Sequence, residues 1–176
     1  MVIKVRKLLI VVDYQVDFVS GTLGFSKALE LEEKIVDKIL EYENNGDEVI
    51  FTLDTHYDNY FDTVEGVKLP VKHCIKNTSG HEIYGSVKDM ALIHKVFEKE
   101  TFGSSALFDY LKNNHYDEVE LCGVVTNICV LSNAIIVKSA LPNSKITIRR
   151  ELVASNDVEL EEKAFSIMKN LHMEII

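Results

Sequence analysis

The feature that most constrains this chain is a recurring order. A short apolar run closes on a polar residue, and a stretch with helical spacing follows. Leu8-Leu-Ile-Val-Val12 is continuous, rich in β-branched residues and ended by Asp13, as expected of a strand buried on both faces. A helical segment comes next, with Leu31, Ile35, Ile39 and Leu40 on one stripe, Ser26 as N-cap and Gly46 as stop. Glu48–Leu53 reads as a second strand and again closes on an acid, Asp54. Ala91–Phe97 reads as a third strand and Ser104–Asn113 as a helix. Glu118–Cys122 follows as a fourth strand, and Thr126–Ser139 as a helix almost free of charge. Lys145–Arg149, Asp157–Asn170 and Met173–Ile176 read as a fifth strand, a helix and a sixth strand. Such alternation predicts a three-layer, doubly wound, mostly parallel six-stranded sheet with helices on both faces. One domain spanning residues 1–176 accommodates it, with no linker or repeat.

Composition removes several function classes. With 28 acidic against 19 basic residues the net charge is −9, which speaks against nucleic acid or an anionic membrane as partner. Three cysteines without a C-x-x-C pair make neither a disulfide framework nor a thiolate zinc knuckle. No stretch has the length of a signal-peptide core or of a membrane span, so a cytoplasmic location is expected. The almost uncharged helix can be buried by the core alone, so a homo-oligomer stays open.

In parallel sheets ligands bind beyond the carboxyl ends of the strands. That rule selects Asp13, Asp54, the residues after Phe97, and Gly123–Cys129. If Thr126 or Asn127 caps the following helix, Cys129 lies in its first turn, where the helix dipole would lower the thiol pKa and free N–H groups could hold an oxyanion. Cysteine is also a common small buried residue. Cys74 and Cys122 are read that way, and for Cys129 both readings stand. Asp13, with Asp17 four residues on, could take a thiol proton if a cation keeps it ionised, or could simply end a strand and cap a turn. Lys99 and Lys95 are the candidate cations. The long aperiodic stretch Thr55–Met90 has the look of a functional loop. Asp54-Thr-His56, then Glu65 and His73, form a nitrogen–oxygen set suited to zinc, manganese or iron. Without a compact motif, that set equally describes a polar loop.

Taken together these segments resemble the nicotinamidase/isochorismatase-like family of cysteine hydrolases, from Leu8 to about Ser139. The carriers are Leu-Ile-Val-Val-Asp13-Tyr-Gln15-Val-Asp17-Phe18, Lys99-Glu-Thr-Phe102-Gly-Ser104 and Gly123-Val-Val-Thr-Asn-Ile-Cys129-Val. The resemblance implies Cys129 as nucleophile, Asp13 as base and Lys99 as its cation. It also implies a cis peptide between Val124 and Val125 and an oxyanion site at the Val125 and Cys129 N–H groups. A divalent metal, zinc above manganese or iron, would be held by Asp54, His56 and His73. For the fourth ligand Glu65 is taken over Tyr60 and Asp62. Isochorismatases of the family lack the thiol, so a cysteine at 129 points to an amidase with a small amide substrate, nicotinamide first. Many nicotinamidases stack the ring on a tryptophan shortly before the metal histidine. This chain has Leu69-Pro70 there and no tryptophan at all, which leaves Phe18 and Phe102 as ring contacts.

Three rivals remain. A ureido or N-carbamoyl hydrolase would use the same scaffold without the metal set. A nucleotide-binding module lacks its glycine signature after the first strand. A family member that has lost activity would not need Asp13, Lys99 and Cys129 together.

Overall fold

A computed structural model describes residues 5–176. Six strands form one sheet in the order β3-β2-β1-β4-β5-β6: β1 Lys7–Val12, β2 Glu48–Asp54, β3 Lys95–Lys99, β4 Glu118–Val124, β5 Lys145–Ala154 and β6 Glu174–Ile175. All five pairings are parallel, where the sequence predicts mostly parallel. The helices are α1 Val16–Val19, α2 Ser26–Leu29, α3 Glu32–Asn45, α4 Val64–Lys68, α5 Val87–Ala91, α6 Ser105–Lys112, α7 Leu131–Ala140 and α8 Val158–Asn170.

Alternation along β1 shows how the layers arise. Leu8, Ile10 and Val12 point into one apolar core with Leu107 and Leu111 of α6, Ala134 and Val137 of α7, and Phe165 of α8. Leu9 and Val11 point into the other, with Ile35 and Ile39 of α3 and Val87 of α5. A strand covered on both sides must be apolar at every position, which explains the unbroken run Leu8–Val12. The chain builds β1, β2 and β3 outward, then returns to lay β4 on the far side of β1. The strand order therefore reverses between β1 and β4, and a crevice opens beyond their carboxyl ends. Asp13 follows one of these strands and Val125–Cys129 the other.

Several boundaries differ from the sequence reading. Ala91 ends α5 rather than opening a strand, and Leu92 and Ile93 are each 79% exposed. β3 starts only at Lys95, where pairing to Ile50 becomes available. Ser26 opens the separate helix α2 rather than capping α3, and Leu40 falls off the buried stripe at 41% exposure. Gly46 does stop α3, in a left-handed conformation (φ 67°). β5 runs on past Arg149 to Ala154, with a register shift against β4 between Leu121 and Gly123. Its middle residues Arg150 and Glu151 are exposed, which hides the continuation from a pattern of apolar residues. The charge-free segment is not one α-helix: Thr126–Val130 is a π-helical turn that leads into α7.

Gly123 of β4 lies opposite Val12 of β1 with no room for a side chain. Its φ is +108°, and a Cβ there would lie 2.1 Å from the Val12 carbonyl oxygen. Both strain and collision forbid a side chain. Gly123→Ala should cost at least about 2 kcal/mol, read as a lower urea midpoint at unchanged slope.

Candidate active site

Three strand ends bring the first group together. Asp13, just past β1, takes φ 45°, a left-handed conformation that costs a non-glycine residue roughly 1–3 kcal/mol. Its neighbours hold it there. Its N–H donates to Thr52 O at 3.1 Å, its carbonyl accepts from Gln15 N at 2.8 Å, and Thr52 Oγ1 donates to Oδ1 at 2.7 Å. Lys99 closes β3 directly opposite Asp54 in the β2–β3 register. Although only 5% exposed, it has four partners around its Nζ. They are Asp13 Oδ2 at 2.6 Å, Asp54 Oδ1 at 3.1 Å, Thr101 O at 3.0 Å and Cys129 Sγ at 3.7 Å. Lys95 stands apart on the exposed edge strand, its Nζ 4.3 Å from the centre of the Tyr110 ring. The cation beside Asp13 is Lys99.

The charges follow from burial. Burial disfavours the Lys99 ammonium, but Asp13, Cys129 and Asp54 outweigh it and raise the pKa, so the group stays protonated. Burial raises Asp13 against the pull of Lys99. It also pushes the Cys129 thiol well above its ordinary value, with the Asp13 charge adding to the effect and Lys99 opposing it only in part. This corrects the expectation of a thiol acidified by a helix dipole. The thiol rests neutral, and a base must take its proton.

The turn that carries Cys129 is shaped by backbone rather than by a cap. The Val124–Val125 peptide is cis. The Val125 carbonyl accepts from Ile128 N at 3.0 Å and from Val130 N at 3.2 Å, the second bond being the wide loop of a π turn. Neither expected cap serves as one. Thr126 Oγ1 donates to Glu161 Oε1 at 2.7 Å, and Asn127 Oδ1 accepts from Ser155 Oγ at 2.6 Å. Both side chains instead moor the turn to α8 and to the end of β5.

Beside the first group lies a second. Donor atoms of Asp54, His56, Glu65 and His73 all fall within 4.8 Å of one another. His56 Nε2 is 3.0 Å from Asp54 Oδ2 and 3.7 Å from Glu65 Oε1, while His73 Nε2 is 3.4 Å from each of the same two oxygens. Bonds of about 2.0–2.1 Å in a tetrahedron imply edges of roughly 3.3–3.4 Å, close to this spacing. His56 Nε2 is buried yet makes no hydrogen bond of acceptable geometry, an orphan that a cation would satisfy. His73 Nδ1 donates to Val71 O at 2.8 Å, which turns Nε2 toward the cluster. Burial opposes the Asp54 charge, but His56, His73 and Lys99 hold its pKa well below the carboxylate range. The set therefore fits a divalent metal. Tyr60, weighed against Glu65, donates its hydroxyl to Leu69 O at 2.8 Å and packs its ring against both imidazoles. Asp62 is not part of the cluster.

Both groups open into one cavity of ≈ 420 Å³. Cys129, Asp54, Glu65 and His73 line it, with Phe18, Leu69 and Phe102 among its apolar walls. The Phe18 ring lies 5.5 Å from that of His73, and Phe102 is 42% exposed.

Sequence reasoning assigned no role to several residues that build the site. Gln15 is fully buried and clasps Asp54 with both ends of its amide, Nε2 to Asp54 O and Oε1 from Asp54 N, each at 2.8 Å. Asp17 is not catalytic by position: Oδ2 accepts from Cys74 N at 2.8 Å and so fixes the residue after His73. Thr52 and Asn133 likewise serve through buried hydrogen bonds. For Gln15, Thr52 and Asn133 the available signal is an uncharged polar residue inside an otherwise buried segment.

The arrangement defines a class. A model of the isochorismatase domain matches residues 7–176, and the chain belongs to that family of hydrolases. It is 30% identical to the nicotinamidase of Saccharomyces cerevisiae over 173 residues, 73% of this chain and 80% of that protein. The crystal structure of nicotinamidase PncA from Bacillus subtilis superposes with a TM-score of 0.85 at 31% identity, covering 97% of this chain and 98% of that one. Pyrazinamidase of Pyrococcus horikoshii, solved in complex with zinc, gives 0.82 at 26% identity, covering 97% and 98%.

The buried ion cluster makes a stability prediction. Lys99→Met would leave the Asp13 and Asp54 carboxylates without their shared cation, a loss of about 3–5 kcal/mol in chemical unfolding. Adding Asp13→Asn should restore part of it, because the two changes act on one interaction.

Proposed function

We propose that this chain hydrolyses nicotinamide to nicotinate and ammonia through a thioester on Cys129. One observation carries the reading: Lys99 joins Asp13 to Cys129, and Cys129 lines a cavity that Asp54, Glu65 and His73 of the nitrogen–oxygen donor set line as well. The proposal takes residues 1–176 as one catalytic domain acting in the cytoplasm.

Asp13 accepts the thiol proton as sulfur attacks the carboxamide carbon. Its raised pKa suits that task, since the same carboxyl must then give the proton to the departing amine. Lys99 stays charged throughout and stabilises the carboxylate before transfer and the thiolate during it. The oxyanion rests on the N–H groups of Val125 and Cys129. Ammonia leaves, Asp13 draws a proton from water, and the hydroxide cleaves the thioester to nicotinate and free thiol. Phe18 and Phe102 hold the ring. Asp54, His56, Glu65 and His73 would hold a divalent ion, zinc by its donors with manganese or iron as alternatives, which would supply Lewis-acid chemistry for holding and orienting the ring. That donor set favours nicotinamide over a ureido or N-carbamoyl substrate.

Ammonia release from nicotinamide should fall by roughly 10³-fold or more in Cys129→Ala and in Asp13→Asn. Residual turnover near wild type in Cys129→Ala would sink the mechanism. Hydrolysis of a ureido compound but not of nicotinamide would sink the substrate. Separately, His56→Ala and His73→Ala should weaken zinc binding by at least about 10²-fold in competition with a chelator, while Cys129→Ala leaves it unchanged.

A further inference from the structure

Asn133 lies in the first turn of α7, one helical turn beyond Cys129, and its side chain is fully buried (0% exposed). A buried carboxamide must place two N–H donors and one acceptor oxygen. Here Nδ2 donates to the Cys129 carbonyl at 2.8 Å and to the Phe102 carbonyl at 3.0 Å, while Oδ1 accepts from Ser104 N at 3.1 Å. The loop it grips is the one that leaves Lys99, whose Nζ donates to Thr101 O. Gly103, in the middle of that loop, sits so close to α7 that a Cβ would fall 2.7 Å from Ile136 Cδ1. One side chain thus joins the backbone of the nucleophile to the segment that follows its partner lysine and carries a cavity wall.

We propose that Asn133 is a positioning residue that locks the Phe102–Ser104 wall onto the nucleophile turn and so sets where the substrate ring sits relative to the Cys129 thiol. The inference rests on the carboxamide-hydrolase reading above. Two substitutions separate the two ends of the clasp. A serine can bond the carbonyl four residues earlier in a helix but is too short to reach Phe102 and Ser104. A leucine keeps the volume and makes none of the three bonds.

The test measures kcat and KM on nicotinamide for the metal-loaded wild type, Asn133→Ser and Asn133→Leu, alongside the rate of Cys129 alkylation by iodoacetamide. Asn133→Ser should raise KM roughly 10-fold with kcat within about threefold, because the wall is loosened while the nucleophile turn is held. Asn133→Leu should raise KM similarly and also lower kcat by roughly 10-fold. Alkylation should quicken several-fold in both, since the wall no longer shields Cys129, a residue only 4% exposed. If both variants keep wild-type KM, kcat and alkylation rate while only Tm falls, Asn133 is a packing residue and the proposal fails. Should Asn133→Leu not fold, the KM shift in Asn133→Ser decides alone. If the wild type leaves nicotinamide intact, the functional reading fails and the alkylation rates still judge Asn133.

Discussion

A single buried ammonium organises this molecule. Lys99 Nζ lies between two carboxylates that end neighbouring strands, and the parallel register brings them there: β3 places Lys99 opposite Asp54, and β1 delivers Asp13 on the other side of β2. In a dry interior, two carboxylates without a cation would repel each other and resist ionisation. Lys99 opposes that penalty at both carboxylates, and the strand ends must stay in register for it to do so. The left-handed turn at Asp13, the clasp of Gln15 on Asp54 and the absence of a Cβ at Gly123 all serve that placement. Chemistry and fold meet in one contact.

The layered α/β architecture was legible because strands covered on both faces cannot afford polar interruptions, so Leu8–Val12 and Val49–Leu53 announce themselves. Where burial is incomplete, the signal fades. β5 continues through an exposed, charged bulge, and β3 is an edge strand whose polar start is preceded by the exposed apolar pair Leu92 and Ile93. The π-helical turn at Thr126–Val130 left no trace in spacing, because its register depends on Val125 and on side chains reaching in from α8 and β5.

The same split runs through the site. That Asp13, Lys99 and Cys129 lie together could be expected, because the ends of the parallel strands narrow the place. Gln15, Thr52, Asp17 and Asn133 could not. Each works through hydrogen bonds to groups far away in the chain, such as Gln15 to Asp54, Asp17 to Cys74 or Thr52 to Asp13. Nothing local in a sequence records a partner dozens of residues distant. The acidity of Cys129 was misjudged for a related reason: a dipole can be read from position in a helix, whereas burial is a property of the whole packed chain.

Asp54 divides its two oxygens between neighbouring tasks. Oδ1 receives Lys99, while Oδ2 faces His56 and His73. A carboxylate shared in this way makes the Asp13–Lys99–Cys129 group and the donor cluster a single thermodynamic system. Positive charge gathered at Oδ2 would weaken the hold of Oδ1 on Lys99, and by reciprocity a change of charge at Asp13 would be felt at the cluster. Two sites that look adjacent are better regarded as two faces of one acid.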